Sequence, residues 1–192
     1  KTKECALVDP AQPSVVLPAF NKLNGELYHN ALKLKYVLTT HHHRDHAGGN
    51  EEVKEKYPDV EVIGSQYEDI PARTRSVSHD EELKLTENLR ARVLYTPCHT
   101  KGHIQYLVTD STASGQIQSG NLFSGDTFFV AGAGRFFEGD AQQMLSNVNL
   151  IKTLDPQNTY LFCGHEYTVS NLKYAITVEP SNEAIKHKLQ EA

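Results

Sequence analysis

The segment from Thr40 to Asn50 is the part of the sequence best suited to chemistry, because four histidines and an aspartate lie close together in it. In an extended chain the side chains alternate, so three candidate ligands share one side: His41, His43 and Asp45. His42 and Arg44 point to the other side, and His46 follows where a helix is expected to begin. Imidazole nitrogens, with Zn–N bonds of about 2.0–2.1 Å, and carboxylate oxygens are donors that divalent metals take. A tag-like histidine run would not lie between a predicted strand and helix, so the segment predicts a metal site.

Three more candidate ligands follow the ends of other predicted strands, where loops on a rigid scaffold commonly carry function. They are His99, Asp126 and His165. Together with the four in the first segment they make seven, too many for one tetrahedral zinc ion and suitable for two ions that share a bridging carboxylate. His103 is expected to have a structural or outer-sphere role, and His29, His79 and His187 to be ordinary surface or core residues.

A pair of ions about 3.5–4 Å apart can lower the pKa of a bridging water to about 7, which generates a hydroxide near neutral pH. That hydroxide can attack an electrophilic carbonyl while a metal stabilises the oxyanion. No serine or cysteine nucleophile is required, and Cys98 and Cys163 are expected to be small packing residues. The residues alone therefore predict metal-assisted hydrolysis and leave the substrate open.

Strands and helices must alternate to position these ligands. Strands are predicted over 5–8, 34–40, 60–64, 104–109, 121–126 and 159–163, and helices over 14–30, 50–57, 141–154 and 168–178. A hairpin is expected over 83–86 and 89–95, and a polar surface loop over 110–120. This order favours an α/β (α+β) domain of two sheets with helices outside.

Composition narrows the function further. The chain has 192 residues, a net charge of −5 and ten histidines, and no apolar run reaches the roughly 20 residues of a membrane span. A nucleic-acid or membrane partner is therefore not expected. Three widely spaced cysteines fit a reducing compartment.

The chain starts without an initiator Met and stops within a helix that begins near Pro180, so we expect one or both flanks to be missing.

The motif His41-x-His43-x-Asp45-His46, with the three later ligands, resembles the metallo-β-lactamase superfamily. The longer segments 39–50, 96–100, 123–139 and 163–168 are similar to those of glyoxalase II, the hydroxyacylglutathione hydrolases. The resemblance implies a four-layer αββα sandwich, with a catalytic domain over residues 1–178 and the start of a C-terminal helical region over 179–192. It also implies one ion held by His41, His43 and His99 and a second held by Asp45, His46 and His165, with Asp126 bridging.

The same resemblance implies a thioesterase that cleaves S-D-lactoylglutathione to glutathione and D-lactate, in methylglyoxal detoxification. The ions would be zinc, with iron or manganese possible at one site, and Asp45 and Asp126 are the expected catalytic carboxylates. Substrate contacts are expected from four residues: Arg135, Phe136, Phe137 and Tyr167. Phe137 stands where many members carry a tyrosine. A cytoplasmic monomer is expected, with a mitochondrial form as the alternative.

Three other functions remain open. A persulfide dioxygenase shares the scaffold but uses a single iron held by two histidines and one aspartate, so the metal count separates it from the hydrolase. A β-lactamase is disfavoured by the match on the glutathione side. A non-catalytic module that binds metal or a partner is supported by the expected loss of flanks and opposed by the complete ligand set.

Overall fold

The computed structural model describes residues 3–110 and 120–192 of the chain. The elements in these ranges, in chain order, are β1 (Glu4–Val8), α1 (Pro13–Tyr28), β2 (Lys33–Leu38), α2 (Arg44–Ala47), α3 (Asn50–Lys56), β3 (Glu61–Ser65), β4 (Arg75–Val77), β5 (Glu82–Lys84), β6 (Leu89–Tyr95), β7 (Ile104–Asp110), β8 (Gly120–Gly125), β9 (Phe128–Phe129), β10 (Gly132–Ala133), α4 (Ala141–Ile151), β11 (Thr159–Cys163), α5 (Thr168–Val178) and α6 (Glu183–Glu191). Most of the predicted surface loop over 110–120 lies outside the described residues.

Two sheets form the centre of the molecule. The first has the order β1-β2-β3-β4 with all strands parallel, and the second has the order β11-β8-β7-β6-β5. In the second sheet β11 and β8 are parallel, whereas β8, β7, β6 and β5 are antiparallel in succession. The predicted hairpin is therefore β5–β6, although β5 ends at Lys84, earlier than expected.

The two sheets pack face to face around one apolar core. Its buried members include Tyr36, Leu38, Ile63 and Val77 from the first sheet and Leu83, Ala91, Val93, Ile104 and Tyr106 from the second. Because side chains alternate along a strand, Val37 and Val62 point outward, where they pack with Leu17 of α1 and Val53 of α3. On the far side, Ile151 at the end of α4 forms an apolar cleft with β8 and β11. The four-layer αββα sandwich is thereby confirmed.

Several boundaries differ from the sequence-based predictions. The strand β2 ends at Leu38, which leaves Thr39 and Thr40 outside the ladder at the start of the ligand segment. The last helix begins at Glu183, later than expected, because the Asn182 side chain accepts the backbone N–H groups of Ala184 and Ile185 and caps it there. The short strands β4, β9 and β10 were not predicted. None of the helices in the described ranges is long and apolar enough to cross a membrane.

Candidate metal centre

The candidate ligands lie at the ends of four strands. The segment after β2 supplies those from the first sheet, and the loops after β6, β8 and β11 supply those from the second. Since β6, β8 and β11 run in the same direction, their carboxyl ends meet at one edge of the second sheet. The backbone N–H of Ile104 donates to the Thr40 carbonyl at 2.9 Å and joins this edge to the first sheet. The site therefore lies at the edge of the sandwich, where the ends of strands from both sheets come together.

The ligand segment itself changes conformation partway along. His43 has extended backbone angles and precedes the single-turn helix α2, which contains Asp45 and His46. The predicted alternation holds for the side chains of His41, His42 and His43, but it was wrong for the next two residues, which lie in a helix. Arg44, expected to point away, lines the cleft that opens over the ligands. The Asp45 carboxylate nevertheless reaches the site. Consecutive residues of a helix point about 100° apart, so Asp45 and His46 can both face a site on one side of the turn. Oδ2 of Asp45 lies 3.3 Å from Nε2 of His165.

All seven predicted ligands come together. They form three overlapping groups in which every donor atom lies within 4.8 Å of the others: His41, His43 and His99; His41, His46 and Asp126; and Asp45, His46 and His165. Nδ1 of His43 is 3.1 Å from Nε2 of His41 and 3.0 Å from Nε2 of His99. Tetrahedral ligands with Zn–N bonds of 2.0–2.1 Å would be about 3.3–3.4 Å apart. The donor spacing therefore fits a metal ion with little adjustment.

Asp126 occupies the middle of the cluster. Its Oδ1 lies 3.2 Å from Nε2 of His46, and its Oδ2 lies 3.4 Å from Nε2 of both His99 and His165. Oδ1 is buried without a hydrogen bond of acceptable geometry. A buried carboxylate oxygen left without a partner is unfavourable unless a cation completes its surroundings. This oxygen and the imidazole nitrogens converging around it fit a divalent ion.

Hydrogen bonds on the far side of the rings orient three of the imidazoles. His99 Nδ1 donates to the Arg135 carbonyl at 2.9 Å, and His46 Nδ1 donates to Asp9 Oδ2 at 2.8 Å. The hydroxyl of Thr40 donates to Asp9 Oδ2 at 2.7 Å and accepts from Nδ1 of His41 at 3.0 Å. Each of these rings therefore presents the lone pair of Nε2 to the site, as a metal ligand must.

Asp9 is a functional residue that sequence reasoning missed. In the sequence Asp9 stands between the first predicted strand and Pro10, a position typical of an ordinary turn. Its carboxylate nevertheless orients candidate ligands from all three groups through Thr40 and His46. Its φ of 46° directs the chain away after β1. The feature that could have indicated its role is its position at the end of β1, which pairs in parallel with β2. The carboxyl ends of parallel neighbours lie at the same edge of a sheet, so Asp9 lies beside the segment that carries the first ligands.

The electrostatics favour neutral imidazoles at His41 and His43. Burial, together with the neighbouring histidines, lowers the pKa of His41 far below its usual range, and burial also lowers the pKa of His43. His46 differs. Burial alone would lower its pKa, but the neighbouring carboxylates of Asp126 and Asp9 outweigh that effect and raise it to about 10. Without a metal ion, the added proton of His46 is on Nε2 and faces Asp126, and a bound ion would take the place of that proton.

His42 and His103 are close to the candidate ligands in sequence, but their contacts are structural. His42 points away from the ligands, and its Nδ1 contacts Glu68 Oε2 at 3.1 Å. His103 is fully buried, accepts the backbone N–H of Asp126 on Nε2 at 3.1 Å, and stacks on His41. Among the described residues neither belongs to a potential ligand group. His103 is held close because Gly125, with a φ of +50°, has no side chain to collide with its ring.

A cleft of about 690 Å³ opens over the ligands, and we call it the first cleft. Its wall includes Arg135, Phe137 and Tyr167, three of the four residues predicted to contact substrate. The Arg135 guanidinium lies 5.2 Å from the centre of the Phe137 ring, and Tyr167 stacks on His165 with 5.2 Å between ring centres. Phe136 is 42% exposed and is absent from the described lining of the cleft. The roles of all four stay predictions.

Comparison with known proteins agrees with this architecture. The family profile described as "Metallo-beta-lactamase superfamily" matches residues 1–165. A solved structure, "Crystal structure of ETHE1 from Myxococcus xanthus", superimposes with a TM-score of 0.69 at 28% sequence identity, over 86% of this chain and 67% of that one. Fold and site therefore define a protein of the metallo-β-lactamase type, with His and Asp groups able to hold metal.

Two curated relatives narrow the class. "Hydroxyacylglutathione hydrolase cytoplasmic" of Arabidopsis thaliana is 44% identical over 98% of this chain and 69% of its own length. "Hydroxyacylglutathione hydrolase-like protein" of Gallus gallus is 45% identical over 98% of this chain, which spans only 62% of that relative. The chain belongs to the hydroxyacylglutathione hydrolase family of the metallo-β-lactamase superfamily. The predicted family is thereby confirmed.

Proposed function

We propose that this chain is a metal-dependent thioesterase that hydrolyses S-D-lactoylglutathione to glutathione and D-lactate. The observation that carries the proposal is the set of seven candidate ligands, six of which lie around Asp126, whose buried Oδ1 has no hydrogen bond. The names of the relatives supply the substrate class, a 2-hydroxyacyl thioester of glutathione. The catalytic residues all lie within residues 1–178, the proposed catalytic domain, and the proposed compartment is the cytoplasm.

Two divalent ions fit the donor set. His41, His43 and His99 would hold the first and Asp45, His46 and His165 the second, with Asp126 between them. When bound, such ions supply a water acidified to near-neutral pKa and a positive charge for the developing oxyanion. The first group is all nitrogen, which suits zinc, whereas the added carboxylate of Asp45 makes the second group harder and compatible with iron or manganese.

The chain's own residues would bind and orient the thioester. Arg135 is a cation on the wall of the first cleft, and a guanidinium pairs well with a carboxylate of an anionic tripeptide. The Phe137 ring lies edge-on to His43 and His99, at 5.7 and 5.2 Å between ring centres. It would pack against the substrate next to the ligands and would exclude water there without donating a hydrogen bond.

The deciding experiment is hydrolysis of S-D-lactoylglutathione by the purified chain, with the bound metals quantified on the same sample. Turnover with about two ions per chain supports a binuclear thioesterase. Two ions without turnover of this or any other glutathione thioester would contradict the proposed activity. A single iron per chain, with oxygen consumed in the presence of a persulfide, would favour the dioxygenase alternative. Size-exclusion chromatography on the same sample tests the predicted monomer.

A further inference from the structure

A second cleft, of about 860 Å³, adjoins the metal ligands on the side of the start of α1. It shares Arg44, Asp45 and His165 with the first cleft, so the two meet at ligands of the second metal group. A thioester also has two parts, which join at the carbonyl that is attacked. If the glutathione part lies against Arg135 and Phe137 in the first cleft, the acyl part extends towards the second.

We infer that the second cleft is the acyl-binding site and that Arg44 selects acyl groups that end in a carboxylate. This inference rests on the proposed function and extends it from lactoyl to longer, anionic acyl groups. Pockets of about 300–1,000 Å³ accommodate drug-sized ligands, so the second cleft has far more room than a three-carbon acyl group needs.

The described wall of the second cleft contains one permanent cation, Arg44, which would bind an anionic group in spite of the carboxylates nearby. Three carboxylates line the cleft, and each is already engaged. Asp9 accepts hydrogen bonds from Thr40 and His46, Asp45 lies 3.3 Å from His165, and Glu52 pairs with Lys56 at 2.7 Å. Arg44 differs from them, because its guanidinium makes no hydrogen bond or ion pair with any residue in the ranges 3–110 and 120–192.

The side chain of Arg44 is also directed by its packing. Its stem lies over Gly48 one helical turn later, where a Cβ would approach Cγ of Arg44 to 2.9 Å. Gly48 itself lines the second cleft. Arg44 lines both clefts, so this residue lies at their boundary, next to the space that the acyl chain would enter.

The test compares three thioesters on the wild-type, metal-loaded chain and on Arg44→Met, a variant of similar length without the charge. The substrates are S-D-lactoylglutathione, S-succinylglutathione and S-pentanoylglutathione, the last being a neutral match in length for succinyl. A hydrogen-bonded charge pair contributes enough to change binding by about tenfold or more. We expect Arg44→Met to lower kcat/KM for the succinyl thioester at least about tenfold more than for the other two, mainly through KM. Arg44→Lys should restore part of the difference.

Arg135→Met is the matched control, because it removes a cation from the first cleft and should lower kcat/KM for all three thioesters by the same factor. Equal losses for the three substrates in Arg44→Met, with the metal content retained, would overturn the inference, as would a loss of metal that explains the effect. Failure of the wild-type chain to hydrolyse any of the three would instead contradict the proposed function.

Discussion

The ligands of the metal centre and the side chains of the first cleft lie next to each other but are held very differently. His41 and His46 are buried, and hydrogen bonds to Thr40 and Asp9 fix their rings. Phe137 and Tyr167 are about half exposed, at 57% and 48%, and are held mainly by ring contacts. Damage to the first region should therefore remove metal and all activity, whereas changes in the second should alter which substrate binds and how tightly.

The largest effect is expected for Asp126→Ala, which removes the carboxylate that lies between His99 of the first proposed ion site and His165 of the second. We expect most of the metal to be lost from both sites and hydrolysis to fall by at least about 10³-fold, about 4 kcal/mol of transition-state stabilisation. Metal analysis by mass spectrometry and thioester turnover measure both effects. Normal occupancy of two ions in this variant would show that Asp126 does not bridge.

Asp9→Asn should have the next largest effect, although Asp9 is outside the ligand set. The Thr40 hydroxyl and His46 donate to Oδ2 of Asp9, and the Thr40 backbone N–H donates to Oδ1. An amide has a single acceptor oxygen and would turn its NH₂ group towards one of these donors, so the rings of His41 and His46 lose part of their orientation. Loss of such outer contacts weakens metal affinity by about 10–100-fold. Competition with a chelator measures the affinity, and Asp80→Asn, at an exposed ion pair with Arg92, is the control. Equal affinities in the two variants would contradict the role of Asp9.

Arg135→Ala tests the first cleft. We expect KM for the glutathione thioester to rise by about tenfold while kcat changes little, since the lost charge would contact a remote part of the substrate. The backbone carbonyl that accepts from His99 remains, so metal content should be retained. Steady-state kinetics with metal quantification provides the measurement. An unchanged KM would exclude Arg135 from substrate binding.

The smallest effect is expected for His42→Ala. This imidazole lies among the ligand residues in sequence but contacts Glu68 and not the site. Metal content should stay close to two ions per chain, with activity within about twofold of wild type, the range typical of a change that does not affect the reacting groups. If metal were lost as severely as in His41→Ala, the assignment of the two sides of this segment would be wrong.

The metal centre was far more predictable from the sequence than its surroundings. Histidine and aspartate at strand ends are recognisable by residue type and spacing. The seven candidate ligands could therefore be chosen from the sequence, and the structure brings their side chains together, although the helical turn at Asp45 was not expected. Asp9 was missed because an aspartate before a proline is typical of an ordinary turn. Phe136 and Phe137 are adjacent and chemically identical, and only the conformation of the loop decides which one lines the first cleft.

The position of the centre across two sheets has a mechanical consequence. The segment after β2 belongs to the first sheet, and the loops carrying His99, Asp126 and His165 belong to the second. An ion held by both would act as a cross-link that fastens one layer of the sandwich to the other. Ligand at a free concentration 1,000 times its Kd adds about 4 kcal/mol to the free energy of unfolding. The same ions would therefore stabilise the fold as well as supply chemistry. Their removal by a chelator would weaken the contact between the two sheets before either sheet unfolded.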